Sequence, residues 1–233
     1  MKTIVLAGGK GTRLLPLTTV LPKPLLPVGD YPILEIVIRQ LKKQGFTKIT
    51  LAVGYLSHLF EAYFGDGSKW GVELEYSVER ESLGTAGPIL LVKDLSSTFL
   101  VMNGDLLTTL DFNRVVEYHK KKDAVLTIAL QERSHQINLG YVERDGKYNI
   151  TGYIEKPVHR YEVGMGIYVF EPEALSYIKK GEKADFPELV LRLIGDGKKV
   201  VGYPCSDFWL DIGRHEEYEK AQNEFEKLKH LFF

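Results

Sequence analysis

The chain has 233 residues, 44% hydrophobic and 26% charged, with 22 Gly and 10 Pro, an ordinary globular composition for one domain with or without a small appendage. Its formal net charge of −1 excludes a global field that would draw in nucleic acid or an anionic membrane, so phosphate binding would need local cations. One cysteine, Cys205, excludes an intrachain disulfide framework; with no apolar run of membrane-spanning length and a strand begun by residue 3, a cytoplasmic location is expected.

The short apolar run Ile4 to Ala7 reads as a buried strand. It breaks into Gly8, Gly9 and Gly11, residues able to take positive φ and to let a ligand approach the backbone. Arg13 follows, and Lys23 stands between Pro22 and Pro24, which stiffen the chain around it. A strand ending in a glycine turn with two fixed cations suits phosphate, although a glycine turn alone is more often an ordinary strand-to-helix connection. Neither the dinucleotide fingerprint nor the P-loop is present, because Leu14 occupies the third glycine position after Gly9-Lys10-Gly11.

Pro32 to Gln44 carries Leu34, Val37, Ile38 and Leu41 at helical spacing and stops at Gly45. Lys48 to Val53 is expected as a strand, Leu56 to Phe64 as a short helix, and Val72 to Tyr76 as a half-exposed alternating strand. Gly84 to Asp94 is expected to be helical. Thr98 to Met102 reads as a buried strand ending in Asn103-Gly104-Asp105, and Asp111 as the N-cap of a helix reaching Lys122. This alternation predicts an α/β fold, a mostly parallel sheet with helices on both faces. The second half is more mixed. Strands are expected over Ala124 to Leu130 and Met165 to Phe170, with a hairpin of Gly140 to Glu143 and Ile150 to Ile154 turning through Asp145-Gly146. Asp185-Phe-Pro-Glu188 has the form of a capping box, opening a helix with Phe186, Leu189, Val190 and Leu193 on one face. A late strand, Lys199 to Tyr203, precedes a C-terminal helix from about Arg214 that buries Tyr218, Ala221, Gln222 and Phe225. No linker or repeat intervenes, so residues 1–233 are expected as one domain, with 1–110 as the nucleotide-binding half.

Asn103-Gly104-Asp105 lies where a buried strand meets a loop, at the sheet edge where ligands bind in open α/β folds. A carboxylate there can hold Mg²⁺, although Asp105 alone is as well read as a turn or capping residue. Asp211 lies in the apolar stretch Phe208 to Gly213 and needs a cation or several donors. The sequence leaves open whether the two aspartates meet. Glu155 and Lys156 close a strand before Pro157; a surface ion pair is the ordinary reading, and Lys156 on the phosphate of a sugar phosphate with Glu155 on its hydroxyls is the functional one. The stretch Glu79 to Pro88 brings an extended loop onto small residues, against which a flat base could lie. Cys205 reads as a small buried hydrophobe. The histidines at 58, 119, 135, 159, 215 and 230 have no metal-ligand spacing and are expected on the surface.

Taken in order, G-G-x-G-T-R, P-K-P, L-G-T-A-G, N-G-D, E-K-P and W-x-D-I-G run from residue 8 to residue 213. This series resembles the sugar-phosphate nucleotidylyltransferases, the nucleoside-diphosphate-sugar pyrophosphorylases. L-G-T-A-G-P and F-W-L-D-I-G look most like the mannose-1-phosphate guanylyltransferases. The resemblance implies a Rossmann-like three-layer mixed α/β fold and nucleotidyl transfer from an NTP to a sugar 1-phosphate, with GTP and mannose 1-phosphate as the leading pair. Heptose, glucose or an amino sugar with another base are alternatives. It implies catalytic roles for Arg13 and Lys23, with Leu6, Ala7, Gly8, Gly9, Gly11, Thr12, Arg13, Glu79, Gly84, Thr85, Asn103 and Gly104 around the nucleotide. Gly140, Glu155, Lys156 and Gly164 would take the sugar phosphate in the half spanning 111–233, and Asp105 and Asp211 the Mg²⁺ cofactor. A homodimer is one option for assembly.

Many relatives have Tyr-Gly where this chain has Leu139-Gly140, and Asn-Ala-Gly where it has Gly164-Met165-Gly166. Both places line the family's sugar pocket, so sugar identity is unsettled. The C-terminal β-helix domain of many longer relatives is expected to be absent. The reaction needs no general base, because a phosphate monoester's second pKa is about 6 and the nucleophile is already ionised. Alignment and charge neutralisation would do the catalysis. A catalytically silent nucleotide-sugar-binding subunit on the same fold is the rival from another class, and a glycosyltransferase a weaker one that leaves the first loop unexplained.

Overall fold

A computed structural model describes residues 1–233. In chain order the elements are β1 (Lys2–Ala7), β2 (Pro27–Val28), β3 (Tyr31–Pro32), α1 (Ile33–Lys43), β4 (Lys48–Val53), α2 (Ser57–Phe64), β5 (Glu73–Val78), β6 (Phe99–Asn103), β7 (Leu106–Thr108), α3 (Phe112–Lys122), β8 (Leu126–Gln136), β9 (Gly140–Arg144), β10 (Ile150–Glu155), β11 (Val158–Phe170), α4 (Phe186–Gly195), β12 (Val200–Cys205), β13 (Trp209–Asp211) and α5 (His215–Phe232). Seven strands form one sheet in the order β12-β8-β11-β6-β1-β4-β5. Only β11 runs antiparallel to its neighbours, β6 and β8. The mostly parallel α/β expectation therefore holds.

The sheet is covered on both faces, and the period-2 pattern of its central strands shows how. Val5, Leu51, Leu100 and Met102 enter a core with Leu34, Val37, Ile38 and Leu41 of α1 and with residues of α2 and α3. Their neighbours Ile4, Ala52, Phe99 and Val101 point the other way, into a core with Phe186, Leu189 and Leu193 of α4. A strand buried on both faces reads as an unbroken apolar run, which is what Ile4 to Ala7 is. A third cluster joins Ile33 and Ile36 of α1 to Ala221, Phe225 and Phe232 of α5. Asp111 caps α3 as expected, accepting from the Asn113 and Arg114 amides. No helix is long and apolar enough to cross a membrane.

Four expectations need correction. Gly84 to Asp94 holds only a 3-10 stretch, Gly87–Leu91, because Ala86 N and Gly87 N donate across to Ala184 O instead of along a helix. Strands β8 and β11 extend well beyond the apolar runs Ala124 to Leu130 and Met165 to Phe170; Gln131–Gln136 and Val158–Val163 pair with each other outside the core and are mostly exposed. Cys205 is half-buried rather than buried, and burial raises its thiol to about 11. His119 is not on the surface: it is 1% exposed, with Nδ1 2.7 Å from Thr127 Oγ1 and Nε2 3.1 Å from Glu171 Oε1.

Burial pushes the His119 pKa below its ordinary 6.5, against the opposing pull of Glu171. The fold holds the neutral ring, so this contribution to stability is complete above about pH 6.5 and is lost as pH falls through the folded-state pKa. Thermal melts should show a falling Tm between pH 7 and pH 5, and a smaller fall in His119→Gln.

Candidate active site

Strands β1, β4, β5 and β6 run parallel, so their carboxyl ends lie along one edge. The segments leaving them enclose a cleft of about 750 Å³, lined by residues 6–13, 54–55, 79–82, 84–85, 103 and 105 among others. This is where an open α/β sheet offers its unpaired loop backbone to a ligand.

Glu79 stitches this edge together. Its amide donates to Val53 O at 2.9 Å, and its Oε2 accepts from Leu83 N at 3.1 Å. A Cβ at Gly8 would lie 2.4 Å from Glu79 Oε1, and one at Gly54 2.9 Å from Glu79 Cγ. Gly8 thus gives the Glu79 carboxylate room, and neither Gly8 nor Gly9 adopts positive φ.

Gly11 does turn the chain left-handed, at φ 64°, and its carbonyl accepts from Leu14 N and Thr18 Oγ1, each at 2.9 Å. Leu14 is fully buried beneath this turn, which leaves Thr12 and Arg13 exposed on the cleft. A 3-10 turn, Lys23–Leu25, sets Lys23 beside buried Pro22, Pro24 and Leu25. Lys23 Nζ ion-pairs with Asp105 Oδ2, the two side chains being 14% and 15% exposed. The other oxygen, Oδ1, is buried without a partner.

The structure answers whether the two aspartates meet. The ribbon of β7 and β13 pairs Asp211 with Leu106, and Ile212 N donates to Asp105 O at 3.1 Å. Burial raises the Asp211 pKa and the charge of Asp105 raises it further, with Lys23 and Arg13 pulling the other way. A Cβ on Gly213 would come within 3.5 Å of Arg13 Nη2, so W-x-D-I-G ends against the first-loop arginine. Two carboxylates and two cations thus share one corner. Asn103 also lines the cleft, and Gly166 of β11 passes so close that a Cβ there would lie 2.6 Å from Asn103 Nδ2.

The family Nucleotidyl transferase matches residues 2–227. The chain belongs to the nucleotidyl transferase family. It is 33% identical to a UTP–glucose-1-phosphate uridylyltransferase of Synechocystis and 34% identical to a mannose-1-phosphate guanylyltransferase of Mycobacterium tuberculosis, over 95% and 94% of this chain. The chain spans 62% of the length of each. A D-glycero-α-D-manno-heptose 1-phosphate guanylyltransferase of Aneurinibacillus thermoaerophilus is 33% identical over 97% of this chain and 99% of its own. A Bacillus anthracis structure assigned as a glucose-1-phosphate thymidylyltransferase superimposes with a TM-score of 0.77 at 26% identity, covering 96% of this chain and 94% of that one.

In this nucleotidyl transferase chain the cleft collects Leu6, Ala7, Gly8, Gly9, Gly11, Thr12, Arg13, Lys23, Glu79, Gly84, Thr85, Asn103 and Asp105. Gly104 lies behind, donating its amide to Leu6 O at 2.9 Å. Asp211, Gly140, Glu155, Lys156 and Gly164 are not among the lining residues; Asp211 adjoins them through Asp105 and Arg13. Glu155 and Lys156 are exposed at the end of β10, Lys156 at φ 47°, and Gly140 pairs with Glu155 across the hairpin. Gly164 is exposed on β11 opposite Leu130. Sequence reasoning missed Gly54, Tyr55, Lys183 and Asp185 as cleft residues. A glycine closing a buried strand was a usable signal for Gly54; nothing local marks residues 183–185, which reach the cleft across about a hundred positions of chain.

An ionised Asp211 beside Asp105 burdens the fold: with its folded pKa raised, stability declines as pH rises through that pKa. Asp211→Asn removes this charge at nearly constant shape. Its Tm at pH 7.5 should exceed the parent's by a few degrees in differential scanning calorimetry; an equal or lower Tm would contradict the charge balance.

Proposed function

We propose that the protein transfers a nucleotidyl group from an NTP to a sugar 1-phosphate, forming an NDP-sugar and pyrophosphate. The observation that carries this reading is the corner where Arg13, Lys23 and Asp105 line the cleft, with Asp211 near enough to feel the charge of all three. Membership of the nucleotidyl transferase family supports it.

A phosphate oxygen of the sugar 1-phosphate attacks the α-phosphorus, and the bond from that phosphorus to the pyrophosphate oxygen breaks. The nucleophile is already ionised near neutral pH. No histidine lines the cleft, consistent with a reaction that needs no proton abstracted. Arg13 and the backbone of Gly8 to Gly11 stabilise the leaving pyrophosphate, and Lys23 the charge around the α-phosphate. Glu155 and Lys156 receive the sugar phosphate from the hairpin side. Asp105 and Asp211 would hold Mg²⁺: an unpartnered buried carboxylate oxygen and a second carboxylate beside it suit an ion completed by phosphate oxygens and water. Bound there, the ion would neutralise phosphate charge.

The base is proposed as guanine and the sugar as mannose. Support comes from the L-G-T-A-G-P and F-W-L-D-I-G strings and from two similar proteins named as guanylyltransferases of mannose and manno-heptose 1-phosphates. A matrix of NTPs and sugar 1-phosphates with Mg²⁺, read by pyrophosphate release, should peak at GTP with mannose 1-phosphate. A peak at another pair corrects the substrates, and silence across the matrix defeats the reaction.

Arg13→Ala should lower turnover at least ~10²-fold with an unchanged circular dichroism spectrum, as when one preorganised charge donor is lost. Near-parental turnover would remove Arg13 from its role. Lys156→Ala should raise KM for the sugar 1-phosphate about tenfold or more while leaving KM for the NTP within twofold, as for one lost charge-assisted contact.

A further inference from the structure

Asp185 opens α4, in a sequence that has the form of a capping box, yet its side chain does not cap its own helix. Pro187 follows two residues later and has no N–H to offer. Asp185 Oδ1 instead accepts from Thr85 N at 2.9 Å and Thr85 Oγ1 at 3.2 Å. The exchange is reciprocal, because Phe186 N, the first amide of α4, donates to Thr85 Oγ1 at 2.9 Å. Thr85 thus caps α4 from a hundred residues away, while Asp185 takes the Thr85 donors in return.

Backbone bonds surround this exchange. Ala184 N donates to Leu83 O, while Ala184 O accepts from Ala86 N and Gly87 N. Gly84 makes the fit possible: it sits at φ 81°, and a Cβ on it would lie 2.4 Å from Ala184 O. Between β5 and the 3-10 stretch at Gly87 the loop has no regular structure, and Arg80, Glu81 and Ser82 are exposed. Its fixed points are Glu79 at one end and residues 184–186 at the other. Gly84, Thr85 and Asp185 all line the cleft.

We infer that Asp185 is a positioning residue for the nucleotide: it latches the Gly84-Thr85 loop in its NTP-binding conformation through hydrogen bonds to Thr85. This rests on the nucleotidyl-transfer reading of the cleft. A helix that gives up its own cap in order to hold a loop departs from local sequence preference, and such departures concentrate at functional sites. Unlatched, the loop must be ordered by the nucleotide itself, which weakens binding without altering the attacking and leaving groups. The effect therefore falls on NTP affinity and spares the chemical step.

The test is initial-rate kinetics on Asp185→Ala and Asp185→Asn, with calorimetric titration of each by GTP. Asp185→Ala should raise KM and Kd for the NTP ~10-fold, the scale of one charge-assisted hydrogen bond, with kcat and KM for the sugar 1-phosphate within about threefold of the parent. Asp185→Asn keeps the accepting oxygen without the charge and should recover most of the loss, leaving a two- to fourfold rise as an order-of-magnitude expectation. Should the alanine variant fail to fold, that selective rise in the asparagine variant carries the test, and its absence overturns the latch. NTP binding in Asp185→Ala equal to the parent's overturns the latch alone, as does a uniform loss in kcat and both KM values. A parent protein that neither binds GTP or another NTP nor releases pyrophosphate overturns the proposed function and the latch with it.

Discussion

The ion pair of Lys23 with Asp105 is the constraint from which the rest of the site follows. Each side chain is about 15% exposed or less, so neither charge could stay without the other. Lys23 arrives on the first loop, held by buried prolines, and Asp105 arrives on the turn after β6. Their attraction adds to the buried Leu14 and Leu25 in holding that loop to the sheet edge, and it spends on a carboxylate a cation suited to phosphate. The compensation is incomplete. Asp105 Oδ1 has no partner, and Asp211 sits close enough for its ionisation to be opposed by burial and by Asp105. The corner is thus arranged for further positive charge on the carboxylate side and further negative charge on the Lys23 and Arg13 side. In the proposed reaction, a triphosphate with its counter-ion would supply both.

Geometry at the edge follows from small residues yielding space to specific larger ones. Glu79 lies over Gly8 and Gly54 at separations no Cβ would allow, and through it the ends of β1, β4 and β5 become one surface. Lys23 Cβ is similarly close to Gly11, where a Cβ would lie 3.1 Å away. The glycines of the first loop therefore have different work. Gly11 supplies a left-handed turn, Gly8 makes room for a carboxylate, and Gly9 has no neighbour within 4 Å of a Cβ, which leaves its face of the backbone open to the cleft.

What the sequence made legible follows the range of the interactions concerned. Strands buried on both faces, such as Ile4 to Ala7 and Lys48 to Val53, and the amphipathic α1 declare themselves by composition and period. The Asp111 cap was readable because its partners are two and three residues away. Where a local rule competed with a distant partner, the distant partner won. Asp185 has the grammar of a capping box and serves Thr85; Gly84 to Asp94 has helical composition and bonds to Ala184 instead; His119 looks like a surface residue on a lysine-rich turn and is sealed against Thr127 and Glu171. The outer halves of β8 and β11 were invisible for a different reason. They pair with each other away from any core, so no apolar pattern marks them.

That arm also separates what each half of the chain contributes. The glycine-loop side of the cleft is built on parallel strands, most of them buried on both faces, while Glu155 ends and Lys156 follows a two-stranded hairpin whose Tyr141, Tyr153 and Ile154 are exposed. Two strands alone bury too little to be stiff. In the proposed reaction the rigid edge would fix the triphosphate, where alignment with the α-phosphorus must be tight, and the less constrained element would meet the sugar phosphate. Under the proposed function, a division of this kind would let sugar preference change through residues at the start of the hairpin such as Leu139 and Gly140 while the edge, its ion pair and its glycines stay as they are. The segment at residues 183–185 cuts across the division, carrying α4 from the second half to the nucleotide wall, so that the two halves are joined at the cleft and not only through the sheet.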